Sequence, residues 1–74
     1  MSEEAIAIRT ETIELGQFLK LAGLAVTGGE AKAILASGEV RVNGEPESRR
    51  GRKLRVGDVV EVGQSALRLV AANE

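Results

Sequence analysis

The sequence predicts an α+β fold in which two packed helices lie on a small, mostly antiparallel sheet. Apolar residues recur with helical spacing as far as Gly38 and with a period of two beyond it. Turn signals at Asn43-Gly44, Val56-Gly57-Asp58 and Gly63-Gln64 then divide the second half into short strands. With 74 residues the chain is expected to form one domain, residues 1–74, because a second core needs a longer chain.

The elements follow in order. Ala5 to Arg9 alternate weakly, with Ile6 and Ile8 on one side, as in a strand with one buried face. From about Glu14 the period changes: Leu15, Phe18, Leu19 and Ala22 fall at i, i+3, i+4 and i+7, one stripe of a helix. Gly23 stops it where a left-handed cap needs no β-carbon. Gly16 costs this helix about 1 kcal/mol of propensity against alanine, so the helix depends on packing. The second helix starts at a Thr27-x-x-Glu30 capping box. There the hydroxyl is expected to accept from the N3 amide and the Glu30 carboxylate to return to the Thr27 amide. Ala31, Ile34 and Leu35 form its apolar stripe and Gly38 closes it.

Beyond Gly38, Val40 and Val42 point one way and Arg41 the other, and Asn43-Gly44 is a turn because both positions tolerate positive φ. Pro46 argues against residues 45–48 as a central strand. A basic stretch, 49–55, precedes the turn at 56–58, and strands are expected over Val59–Val62 and Ala66–Val70.

Composition narrows function. Cysteine and histidine are absent, which excludes thiol nucleophiles, disulfides and zinc-finger sites, and leaves no imidazole acid–base chemistry. No P-loop, no Gly-x-Gly-x-x-Gly and no serine with a base partner is present. The expectation is a non-enzyme with no catalytic residue, no metal, no cofactor and no small-molecule substrate. No apolar run approaches the ~18 residues of a membrane span and no signal peptide is visible, so a cytoplasmic protein without a membrane partner is expected. Phe18 is the one aromatic residue and belongs to the core. Modules that stack unpaired bases on exposed rings are therefore excluded.

Charge is unevenly placed. The net charge of −1 divides into −3 over residues 1–30 and +2 over residues 31–74. Within the second part Arg49, Arg50, Arg52, Lys53 and Arg55 fall in seven positions with no acid between them. Five neighbouring cations repel one another, and a phosphate backbone turns that cost into binding. The competing reading is a solvated loop paired with Glu45, Glu47, Asp58 or Glu61. Lys32, off the apolar stripe, and Arg41 are placed to extend the same basic face. The alternative to nucleic acid is a protein-interaction module whose arginines pair an acidic partner surface.

Leu15-Gly16-Gln17-Phe18-Leu19-Lys20, Glu30-Ala31-Lys32, Gly38-Glu39-Val40-Arg41-Val42-Asn43-Gly44 and Val56-Gly57-Asp58-Val59-Val60-Glu61-Val62 fall in one line. Together they resemble the S-four RNA-binding domain, over a motif core of about residues 13–63. The look is nearest to the short stand-alone bacterial members of the YaaA and YbcJ type. The resemblance implies an αL motif, a helix pair joined to a small sheet. It also implies a non-catalytic module that docks on structured RNA, ribosomal or transfer RNA-like, within a ribosomal or other ribonucleoprotein assembly. Carried over by position, the RNA-binding residues are Lys20, Lys32, Arg41, Arg49, Arg50, Arg52 and Lys53. The chain departs from the family at Glu14 and Gly28, where relatives often carry arginine. Compensation by the basic segment is expected to move the footprint toward the sheet end of the fold.

Overall fold

The computed structural model describes residues 3–72. In chain order the elements are β1 (Glu4–Ile8), β2 (Thr12–Glu14), α1 (Leu15–Leu21), α2 (Gly28–Ala36), β3 (Val40–Val42), β4 (Glu45–Pro46), β5 (Lys53–Arg55), β6 (Val59–Val62) and β7 (Ser65–Ala71). Five strands form one sheet in the order β1-β7-β6-β3-β4, while β2 and β5 form a separate antiparallel ribbon. In the larger sheet only β1 and β7 run parallel, so the sheet is mixed but mostly antiparallel, as expected. Pro46 sits on the outermost strand, where its missing N–H breaks no ladder bond.

The expected stripes are the buried ones. Leu15, Phe18 and Leu19 of α1 are fully buried, and Ala31 and Leu35 of α2 join them with Val40, Val42, Leu54, Val60, Leu67 and Leu69 from the strands. Ala22 and Ile34 pack against this cluster half-buried. Removing a side chain such as Phe18 from water contributes roughly 1.5–3 kcal/mol.

The end of α1 is a Schellman motif: the Gly23 amide donates to the Lys20 carbonyl at 3.0 Å and the Leu24 amide to the Leu19 carbonyl at 3.0 Å. Gly23 has φ +80, so glycine is needed here. At the start of α2 the Glu30 amide donates to Thr27 Oγ1 at 3.1 Å, as expected. The return bond differs. Glu30 Oε1 accepts from the Val26 amide at 2.6 Å, not from Thr27, so the carboxylate ties down the interhelical linker one residue further upstream.

Three strands went unforeseen: the two-residue edge strand β4, and the pair β2 and β5. Lys53–Arg55 was expected to be part of an irregular basic stretch, yet it pairs with Thr12–Glu14, setting Thr12 opposite Arg55, Ile13 opposite Leu54 and Glu14 opposite Lys53. Leu54 is fully buried between two exposed cations, which is strand alternation compressed into three residues, too short for a period to be recognised.

Candidate nucleic-acid interface

The basic segment does not hang free. Its backbone closes the N-terminus of α1: the Arg52 carbonyl accepts from the Leu15 amide at 2.8 Å and the Arg50 carbonyl from the Gly16 amide at 3.0 Å. These are two of the amides that a helix start leaves without intrahelical partners, and the N-cap residue, Glu14, makes no side-chain cap of its own. The loop is thereby pinned against α1 by its main chain. Gly16 allows this approach. A β-carbon there would meet Arg50 Cγ at 3.1 Å, tighter than ordinary van der Waals contact.

Between this loop and the two helices lies an open groove of about 370 Å³. Gly16, Gln17 and Lys20 of α1, Gly28 and Ala31 of α2, Arg50 and Gly51 line it, together with Glu14. Arg50 and Lys20 bring positive charge into the groove from two elements. The footprint was expected toward the sheet end of the fold; the backbone of the basic segment itself is held at the start of α1. The pairing of Leu15 and Gly16 with Arg52 and Arg50 draws the segment to the helix end. There Arg50 shares one groove with Glu14 and Gly28, the two positions at which the family resemblance leads one to expect arginine.

The other candidates spread around this centre. Lys53 is exposed in β5, in register with Glu14 beside the groove. Lys32 is exposed on α2 and Arg41 is exposed on β3, opposite Glu61 of β6; neither lines the groove. Among the described residues, no carboxylate oxygen lies within 4.0 Å of the charged nitrogens of Lys20, Lys32, Arg41, Arg50 or Lys53.

Arg49 and Arg52 differ. Both converge on Glu47, the one acid among the four named from the sequence that forms an ion pair with the segment. Glu47 Oε2 accepts from the backbone amides of Ser48 and Arg49, each at 3.1 Å, and from Arg49 Nε at 3.0 Å. Its Oε1 accepts from Arg49 Nη2 at 3.1 Å and from Arg52 Nη1 at 2.8 Å. The Glu47 side chain is only 8% exposed, against 72% for Arg49 and 34% for Arg52. These bonds, led by those from the Arg49 side chain and amide, hold the Glu47 carboxyl down at about 2, and the same contact raises the Arg49 guanidinium. The sequence named Glu47 only as one possible partner among four. Its position two residues before Arg49 and five before Arg52 was the available signal.

A second junction unites the two most specific segments of the sequence. Asn43 Nδ2 donates to Asp58 Oδ1 at 3.1 Å, Asn43 Oδ1 accepts from the Val59 amide at 3.0 Å, and Asp58 Oδ2 accepts from the Arg55 amide at 2.9 Å. Asn43 and Gly44 have φ of 52 and 87, so this is a turn stitched to the next turn. Among the described residues no helix is long and apolar enough to cross a membrane, and no group of acids is arranged to hold a metal.

Residues 6–70 match the family model of the S4 domain. The chain belongs to the S4 domain family. The match is wider than the motif core read from the sequence, since it takes in the last three residues of β1 and most of β7. The Bacillus subtilis (strain 168) protein named "Probable ribosome maturation protein RlbA" is 63% identical over 57 residues, covering 77% of this chain and 80% of that one. YbcJ of Escherichia coli (strain K12) is 36% identical over 59 residues, covering 80% and 84%. The solution structure of E. coli YbcJ, described as revealing an αL motif involved in RNA binding, matches with a TM-score of 0.72 at 29% identity, over 96% of this chain and 91% of that one. The 30S ribosomal protein S4e of Thermoplasma acidophilum matches with a TM-score of 0.62 at 25% identity, over 81% of this chain and 32% of that longer protein. This S4 domain therefore shares its fold with YbcJ, the structure described as having the αL motif.

Proposed function

We propose that this S4 domain is a non-catalytic module that docks on structured RNA, ribosomal or transfer RNA-like, through phosphate and shape contacts. The observation that carries the reading is the meeting of Arg50 and Lys20 in one open groove at the joint of both helices and the basic loop. The proposed contact face is Lys20, Arg50 and Lys53 around that groove, flanked by Arg49, Arg52, Lys32 and Arg41. Cations on a rigid scaffold suit phosphates spaced along an A-form helix or folded junction, and no exposed ring is available to stack a base. The named roles of RlbA, YbcJ and S4e support RNA as the partner within a ribonucleoprotein assembly, and the cytoplasm is the compartment proposed with it.

Fluorescence anisotropy tests this reading, with a labelled structured RNA against duplex DNA of matched length at two salt concentrations. Preference for the RNA is expected, with log affinity falling against log salt at a slope of about −3 to −4.5 for four or five neutralised phosphates. Equal, weak binding to both nucleic acids, unchanged when Arg50, Lys53 and Lys20 are replaced by alanine, would return the arginines to an acidic protein partner.

A further inference from the structure

Resting on the groove as an RNA face, a second residue gains a role that its charge alone does not suggest. A carboxylate beside a surface that binds phosphates repels them, so on Coulombic grounds Glu47 opposes binding. Its contacts have another consequence. The carboxylate takes five hydrogen bonds, all from Ser48, Arg49 and Arg52. Its own amide donates to the Val40 carbonyl at 3.0 Å, which fixes it to β3. The loop between Arg49 and Arg52 is thus fastened at its base to the sheet through Glu47. At its tip it is fastened to α1 through the Arg50 and Arg52 carbonyls.

We infer that Glu47 is a positioning residue that divides the basic segment into two classes. Arg49 and Arg52 are struts whose guanidinium groups hold the loop to Glu47. Arg50 and Lys53, which have no such partner among the described residues, are the cations presented to RNA. Arg49 engages Glu47 through the Nε and Nη2 edge, the same edge that a bidentate phosphate contact would use. The carboxylate also lowers the mutual repulsion of cations at the point where the chain turns. The loop then meets its ligand already ordered and does not lose that freedom on binding.

The two effects predict opposite signs for Glu47→Gln, which keeps the shape and removes the charge. Repulsion alone predicts tighter binding; positioning predicts weaker binding by roughly tenfold, the cost of ordering about one long side chain and its loop. The experiment is anisotropy with a fluorescein-labelled RNA hairpin at two salt concentrations, paired with NMR hydrogen exchange. Weaker binding, with faster exchange of the Leu15 and Gly16 amides, is expected. Arg50→Ala and Lys53→Ala should each lower the salt slope by about 0.7–0.9, and Arg49→Ala and Arg52→Ala by less than about half of that. Tighter binding by a folded Glu47→Gln protein with wild-type exchange overturns the assignment. Should that variant not fold, equal slope losses at all four cations overturn it instead. A wild-type protein that binds the hairpin no better than duplex DNA sinks the RNA reading itself, an outcome distinct from both.

Discussion

Asn43 and Asp58 hold each other across 15 residues of sequence, Nδ2 to Oδ1 at 3.1 Å. Each also satisfies a backbone amide on the other's side of the contact or beside it: Asn43 that of Val59, Asp58 that of Arg55. The Val-Asn-Gly and Val-Gly-Asp segments are therefore the two halves of one joint. That joint places β5 with its Lys53 on one side and β6 on the other, so a stability device indirectly sets the position of a cation.

Asn43→Gly removes the side-chain bonds while keeping a residue at ease with positive φ. It should cost about 1 kcal/mol. Asn43→Ala should cost about 1–2 kcal/mol more, because alanine is strained in the left-handed region. Urea denaturation of both variants, of Asp58→Ala, and of Asn43→Ala combined with Asp58→Ala checks this. The double variant should lose less than the sum of the two single losses, since the first change already breaks the shared bond.

Acid should act through Glu47. Its carboxyl titrates at about 2 in the folded protein against an ordinary 4.5, so the folded state favours the charged form. The resulting stabilisation is complete above pH 4.5 and is lost as pH falls toward 2. The urea midpoint of the wild type should drop through that window. Glu47→Gln should start lower at neutral pH and show a shallower drop over the same range. Parallel acid profiles for the two proteins would show that the Glu47 cluster carries no net coupling.

Core and face should separate cleanly. Phe18 and Leu35 are 0% and 2% exposed, and truncation of either to alanine should cost roughly 2–5 kcal/mol, enough to unfold much of so small a domain. Arg50→Ala removes an exposed side chain that is in no ion pair among the described residues. It should stay within about 0.5 kcal/mol of wild type in thermal denaturation while weakening RNA binding. Arg52→Ala gives up its bond to Glu47 and should fall below Arg50→Ala in stability. Early melting of Arg50→Ala would make its side chain structural.

How far the sequence revealed this depends on the range of each interaction. The helices were legible because Leu15, Phe18, Leu19, Ala31 and Leu35 repeat over two turns and because Thr27 and Gly23 announce the ends. The Asn43-Gly44 turn was legible from two adjacent residues. What escaped is carried by contacts between distant or very short segments. The β2–β5 ribbon joins residues 12–14 to 53–55 through three pairs, and no local period announces it. The selection of Glu47 over Glu45, Asp58 and Glu61 depends on how the loop folds back on β3. The location of the basic segment depends on the Leu15 and Gly16 amides donating to two of its carbonyls, a backbone contact to which side-chain chemistry gives no clue.

Gly16 joins these points. In an isolated helix its replacement by alanine gains about 1 kcal/mol, and the glycine persists here against that gain. The added β-carbon would lie 3.1 Å from Arg50 Cγ, and Arg50 is an exposed, flexible chain that can swing away. The Gly16 amide keeps its bond to the Arg50 carbonyl, because that bond needs no particular side chain. Gly16→Ala should therefore leave stability unchanged or raise it by up to about 1 kcal/mol. It should also weaken binding to structured RNA, because the added β-carbon pushes the Arg50 side chain off its position against the helix start by a few tenths of an ångström. Thermal denaturation and RNA anisotropy on the same preparation decide the matter. Higher stability with lower affinity assigns the glycine to the interface, and unaltered affinity would detach the placement of Arg50 from binding.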